Sequence, residues 1–205
     1  MLDNLKPWID LTQALAVVAT CLAVIAAVRV WRRQQAGRSH FELAEQTLAA
    51  FFEVKDVIAA IRSPFSSSDE GKSRQRSEHE AADEKQLLDR GYIVSERYEK
   101  NHTVFMRLQL LKYRCMAAFG AHLEPVFVAC DQLAQEIYTA ANRLATFYWP
   151  GHTRMDASEF AQHLDAMHKR QGLFWDRLND SDEVRQRLRV LQDQLERIVK
   201  PHLRA

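Results

Sequence analysis

Glycine and proline are scarce in this chain, with six and five among 205 residues. Runs of alternating β-branched residues are missing too, so little favours strands and tight hairpins, and an all-helical protein is expected. The three cysteines, Cys21, Cys115 and Cys130, form no C-x-x-C pair. That excludes a disulfide framework as the organising principle and fits a main domain in a reducing compartment. Net charge is only +1, so no bulk polycation is available for nucleic acid. The arginines of the last helical pattern, Arg185, Arg187 and Arg189, are accompanied by Asp182, Glu183, Asp193 and Glu196, which reads as a solvated face. Nucleic acid is therefore not an expected partner.

Catalytic signatures are equally thin. No Gly-x-Ser-x-Gly elbow and no H-E-x-x-H zinc motif occurs, and the eight histidines are scattered. Gly71-Lys72-Ser73 looks like the end of a phosphate-binding loop, but Ser66 stands where that motif needs its first glycine. Glu99 and His102 share a helix face, half of a carboxylate-bridged di-metal motif whose second copy is missing. They are the only metal candidates, and a solvated pair is the plainer reading. No cofactor and no catalytic residue is expected.

What the chain does have is an uncharged run from Ala14 to Val28, followed by Arg29, Arg32, Arg33 and Arg38 with no acid between them. Extended to Trp8 and Trp31, it reaches the roughly 20 residues that cross a hydrocarbon core about 30 Å thick. The two tryptophans fall where interfacial aromatic anchors belong, and the arginines mark the cytoplasmic side. A cleaved signal would carry its positive charge before the run, whereas Lys6 is offset by Asp3 and Asp10. A core helix would show a polar stripe, and this run is apolar all round. The reading is a single-pass anchor with its N-terminus outside and its arginines against membrane lipid. Ala19, Ala23 and Ala27 repeat every four residues, a small-residue face that would let two such helices approach and form a homo-oligomer.

Beyond the anchor (1–38), residues 39–205 read as a cytoplasmic helical domain. Phe41, Ala44, Leu48, Phe51 and Ile58 make one apolar stripe, ending near Arg62 because Pro64 disfavours helix before it. A serine- and charge-rich stretch then reads as a long polar loop at about 63–86, with helix resuming near Glu84. Val94, Tyr98, Phe105, Leu108, Cys115 and Phe119 form the next stripe, closed by Gly120. Val126, Cys130, Leu133, Ile137, Ala140 and Leu144 follow a 4-3-4-3-4 spacing, a narrow seam. Asp156 with Glu159, and Asp180 with Glu183, carry capping-box spacing ahead of two further helices. The last of these presents Val184, Leu188, Leu191, Leu195 and Ile198 and stops before Pro201. The expected fold is all-α: one transmembrane helix, then a four- to five-helix antiparallel bundle.

Two aromatic clusters at helix ends, Phe147, Tyr148 and Trp149 in "FYWPGH" and Phe174 and Trp175 in "GLFW", cap the core or offer a partner or ligand surface. Short features also recur along the chain: arginines after the apolar span, "RSPF" at Arg62–Phe65, Glu70-Gly71, "FG" at 119–120, Trp175 ahead of Asp182-Glu183, and Pro201. In these the chain resembles uncharacterised bacterial single-pass membrane proteins with a cytoplasmic helical domain. The resemblance implies a common plan in the bacterial inner membrane and no activity. Phe65 is expected to tuck back and pin the loop. The expectation for function is a non-enzymatic membrane-anchored scaffold with an unidentified protein partner. A ligand-binding sensor is the alternative, and a metal-dependent enzyme a weaker one.

Overall fold

The computed structural model describes residues 6–150 and 156–203, and the side chains within them from residue 15 onward except that of residue 157. Five α-helices follow one another: α1 (Lys6–Ile61), α2 (Ala82–Phe119), α3 (Glu124–Arg143), α4 (Ala157–Phe174) and α5 (Glu183–Val199). No strand occurs among the described residues. A 3-10 turn (Ala121–Leu123) joins α2 to α3, a π-helical turn (Leu144–Tyr148) extends α3, and a 3-10 turn (Lys200–Leu203) follows α5.

The apolar N-terminal run and the first amphipathic stripe belong to one helix. α1 runs through Gly37 without a break for 56 residues, about 84 Å at 1.5 Å per residue. A lone glycine in a helix interior costs only about 1 kcal/mol against alanine, and Arg38 bonds Glu42 one turn on at 3.1 Å. The helix has two characters. From Leu15 to Ala36 it buries nothing, with Leu22 62% and Trp31 61% exposed. From Leu43 onward it enters the core through Ala44, Leu48, Phe51, Val54 and Ile58.

α2 runs back along α1: Cys115 meets Thr47, Arg107 meets Glu53, and Arg97 meets Ala60 and Ile61. α3 in turn runs back along α2, since Lys112 pairs with Glu124 near one end while Gly91 abuts Ala141 and Ala145 near the other. At that crossing a Cβ on Gly91 would collide with the Ala145 side chain and lie 3.0 Å from the Ala141 carbonyl. The missing side chain is what brings the backbones together. The predicted seam of α3, Val126, Cys130, Leu133, Ile137, Ala140 and Leu144, is buried throughout. α5 contributes Val184, Leu188, Leu191, Leu195 and Val199. α4 begins at the predicted capping box, where Asp156 accepts from the Ser158 and Glu159 backbones, and it sends Met167 and Phe174 inward.

Several expectations change. Phe41 is 37% exposed rather than core, and on α5 Val199 is buried where Ile198 is only half so. α5 is capped by Asp182, which accepts from Arg185 N, and not by Asp180. Asp180 pairs instead with Arg189 on the surface. α2 starts at Ala82, inside the stretch read as loop. The remaining segment is a strap folded onto the end of α1, and Phe65, at 75% exposure, does not hold it. Charge holds it. Arg97 donates to Ser63 O at 2.8 Å and Phe65 O at 2.7 Å, and its Nε and Nη2 take both oxygens of Glu70 at 3.0 and 2.7 Å. It also reaches the carbonyls of Ala60 and Ile61 in the last turn of α1, where helical partners run out and Ala60 O has only the Ser63 N–H at 3.2 Å besides. Gly71 turns the strap at φ 84°, its N–H donating to Glu96 at 2.7 Å, and a Cβ there would run into the Asp89 carbonyl.

Candidate functional site

The far end of α1, away from the arginine-rich segment, is where sequence-distant chemistry converges. At its base lies Arg62, 1% exposed, facing Asp182, 0% exposed. Arg62 Nη1 and Nη2 each donate to one Asp182 oxygen at 2.8 Å. The same guanidinium donates to the carbonyls of Leu173, Gly172 and Trp175 at 2.7, 2.8 and 2.9 Å. Asp182 also accepts from the Arg177 and Arg185 backbones, both at 3.0 Å. Burial works against its ionisation, but the Arg62 bonds and the two backbone N–H groups outweigh it and bring its pKa down to about 2. Every buried side-chain nitrogen and oxygen has a partner here, so this knot ties α1, the end of α4 and the start of α5 together.

Above that base stands an aromatic corner. The π-turn closes with Trp149 N donating to Leu144 O at 2.9 Å, which swings Trp149 towards the end of α4. There it meets Phe174 edge-on with centroids 5.5 Å apart, and Phe174 meets Trp175 at 4.2 Å. Phe174 is fully buried. Arg90 of α2 lies over both indoles, its Cζ 5.1 Å from the Trp149 ring and 5.4 Å from the Trp175 ring. A guanidinium placed by rings in this way spends no N–H donor on them through a conventional acceptor. Beside this corner opens a groove of about 870 Å³ whose lining includes Ser66, Ser68, Lys72, Lys85, Arg90 and Trp175.

Of the aromatics singled out in the sequence, Trp149, Phe174 and Trp175 thus share one corner. Phe147 and Tyr148 form a second, with the Tyr148 ring tilted 38° to that of His163 at 5.1 Å and lying under Arg170 at 4.5 Å. His163 Nε2 lies 3.0 Å from Tyr148 O. Phe147 remains 61% exposed. Gly151 and His152 of "FYWPGH" lie outside the described residues. Glu99 and His102 are exposed, and His102 Nδ1 sits 2.9 Å from the Glu99 carbonyl oxygen rather than its carboxylate. Among the described residues no group of three or more His, Cys, Asp or Glu is placed to hold a metal ion.

Ala19, Ala23 and Ala27 are exposed along α1, as are Arg29, Trp31, Arg32, Arg33 and Arg38, while the side chain of Trp8 lies outside the described ones. Burial raises the Cys130 thiol to about 12 and also pushes up that of Cys115, where Thr47 at 3.0 Å pulls the other way. Both are poor nucleophiles.

The sequence reading missed Arg62, Arg97 and Arg90. The first two carried a signal. Arg62 follows Ile58 by four residues and Arg97 follows Val94 by three, so each occupies a core-facing register. A charge there requires a buried partner. Arg90 had no such mark.

Taken together, the described residues define an all-helical protein with one long apolar N-terminal helix. Comparison with protein-family models, with curated proteins and with solved structures finds no match to this chain. Three of the short motifs singled out in the sequence meet at this end: Arg62 of "RSPF" in the knot with Asp182, Glu70-Gly71 in the strap, and Trp175 in the corner.

Proposed function

We propose that this chain is a membrane-anchored helical scaffold. Its apolar N-terminal segment crosses the bacterial inner membrane, and its remaining helices form an antiparallel bundle on the cytoplasmic, arginine-rich side, engaging a protein partner. One observation carries the reading. The apolar half of α1 has a mean hydropathy of 1.9 over its best window and none of that window is buried, whereas the second half of the same helix is core. Leaving that many large apolar side chains in water is unfavourable, at about 25 cal/mol per Å², and a bilayer removes them from it. The unbroken helix then makes the anchor and the bundle one rigid lever. The exposed small-residue face at Ala19, Ala23 and Ala27 supports association of two anchors.

Cys21, midway along the apolar run, is a built-in reporter. A membrane-impermeant maleimide added to sealed vesicles and to opened ones is expected to leave Cys21 unmodified in both. A cysteine introduced as Gln35→Cys is expected to react only from the cytoplasmic side. Labelling of Cys21 in intact membranes would overturn the anchor, and labelling of position 35 from the outside would reverse the topology.

A further inference from the structure

We propose that the groove beside Trp175 is a binding site for a soluble phosphate ester, with Arg90 and Lys85 as its cationic receptors. The charges in the groove decide this. Its carboxylates are already committed: Glu70 to Arg97 at 2.7 Å, Asp89 to Arg74 at 3.3 Å and to Arg76 at 2.8 Å. Lys72 is matched by Asp69 at 2.9 Å. Lys85 and Arg90 also line the groove, and among the described residues no carboxylate reaches either. Two cations without counter-charges therefore face one space, which favours a dianion.

Arg90 is also pre-set. With its Cζ 5.1 and 5.4 Å from the Trp149 and Trp175 rings, its guanidinium is placed by rings rather than by a competing acceptor. An oxyanion can then take two N–H bonds with little ordering left to do. Ser66 and Ser68 add hydroxyl donors from the strap, and the Trp175 indole gives an apolar wall for an organic group. Phosphate oxygens can use both cations and the hydroxyls at once, and a planar carboxylate cannot. The volume of about 870 Å³ far exceeds a bare phosphate ion and lies within the range of small-molecule sites.

The source is soluble rather than lipid. The groove lies at the Ile61 end of α1, about 35 Å beyond Arg38 along the helix axis, out of reach of a headgroup at the arginine level. That step alone rests on the membrane reading, because the groove belongs to the helical domain and its chemistry does not need the anchor.

The test is calorimetric titration of the full-length protein in non-ionic detergent with phenyl phosphate, with benzoate alongside. Saturable binding of phenyl phosphate and none of benzoate at the same concentrations is expected. Arg90→Lys keeps the charge but loses the fork and is expected to weaken binding about tenfold. Lys85→Gln, on the exposed first turns of α2, is expected to weaken it several-fold and to become less salt-dependent. If Arg90→Lys unfolds, as seen by circular dichroism, Lys85→Gln carries the comparison. Absence of saturable heat, unchanged affinity in the folded variants, or benzoate binding as tightly as the phosphate would each overturn the assignment. Binding only to phosphatidic acid in nanodiscs would overturn the soluble source. A failed Cys21 labelling test would remove the argument for a soluble source and leave the phosphate assignment standing.

Discussion

Replacing Asp182 is the perturbation that the structure prices most directly. Asp182→Asn keeps the size and the helix-capping oxygen but removes the only full negative charge bonded to Arg62, itself 1% exposed. Two routes bracket the magnitude. The carboxyl sits at about 2 in place of its ordinary 3.8; at about 1.4 kcal/mol per pKa unit this is worth about 2 kcal/mol. Stripping the partner from a buried ion pair costs about 3–5 kcal/mol, because the remaining charge is left uncompensated. The carbonyls of Gly172, Leu173 and Trp175 still bond Arg62, which argues for the middle of that bracket. For a helical domain of this size each kcal/mol moves the melting temperature by about 2–4 °C, so a drop of about 4–20 °C is expected. Heat unfolding of the full chain in detergent, followed by circular dichroism, measures it. The pH dependence gives an internal check. Since the folded pKa lies below the unfolded one, the stabilisation is complete above about pH 5 and disappears as pH falls through 4 towards 2. The Asp182→Asn variant should lack this component of the acid transition. The paired change Arg62→Met with Asp182→Leu should not recover the loss, because it strips the Leu173, Gly172 and Trp175 carbonyls and the Arg177 and Arg185 N–H groups of their side-chain partners. A loss under about 1 kcal/mol for Asp182→Asn, with the acid transition unchanged, would refute the account of the knot.

Gly71→Ala should destabilise the strap by on the order of 1–3 kcal/mol, because its φ of 84° and the Asp89 carbonyl both oppose a side chain; denaturant melts and proteolysis within residues 63–81 would show it, and wild-type resistance would contradict it. Arg97→Lys should release the same strap, since one ammonium cannot replace a fork that serves Glu70 and four carbonyls. Hydrogen exchange at Gly71, whose N–H bonds Glu96 at 2.7 Å, should rise by an order of magnitude or more. Substituting leucine at Ala19, Ala23 and Ala27 together should shift the detergent-solubilised assembly towards monomer, read by native mass spectrometry. An unchanged mass would remove the membrane face from the scheme.

Helical class, the apolar run, the stripe of α3, the Asp156 capping box and the stop before Pro201 were all legible in the residues, because each depends on neighbours within one or two turns. Periodicity at 3.6 residues, a cap and a proline act locally, and tertiary contacts here reinforce them. Three things needed the fold. Continuity of α1 through Gly37 is a balance of about 1 kcal/mol that neither flank settles alone. The strap carries no periodicity, because its order comes from Arg97, more than 25 residues downstream of Glu70, and from the turn at Gly71. The corner at Arg90, Trp149 and Trp175 joins three segments that no local pattern connects. Arg62 and Arg97 stand in core-facing registers of their helices, a signal that the reading of the sequence passed over. Which carboxylates would meet them was decided only when helices packed, since ion-pair partners are chosen by proximity in space and the low dielectric of the interior makes that choice binding.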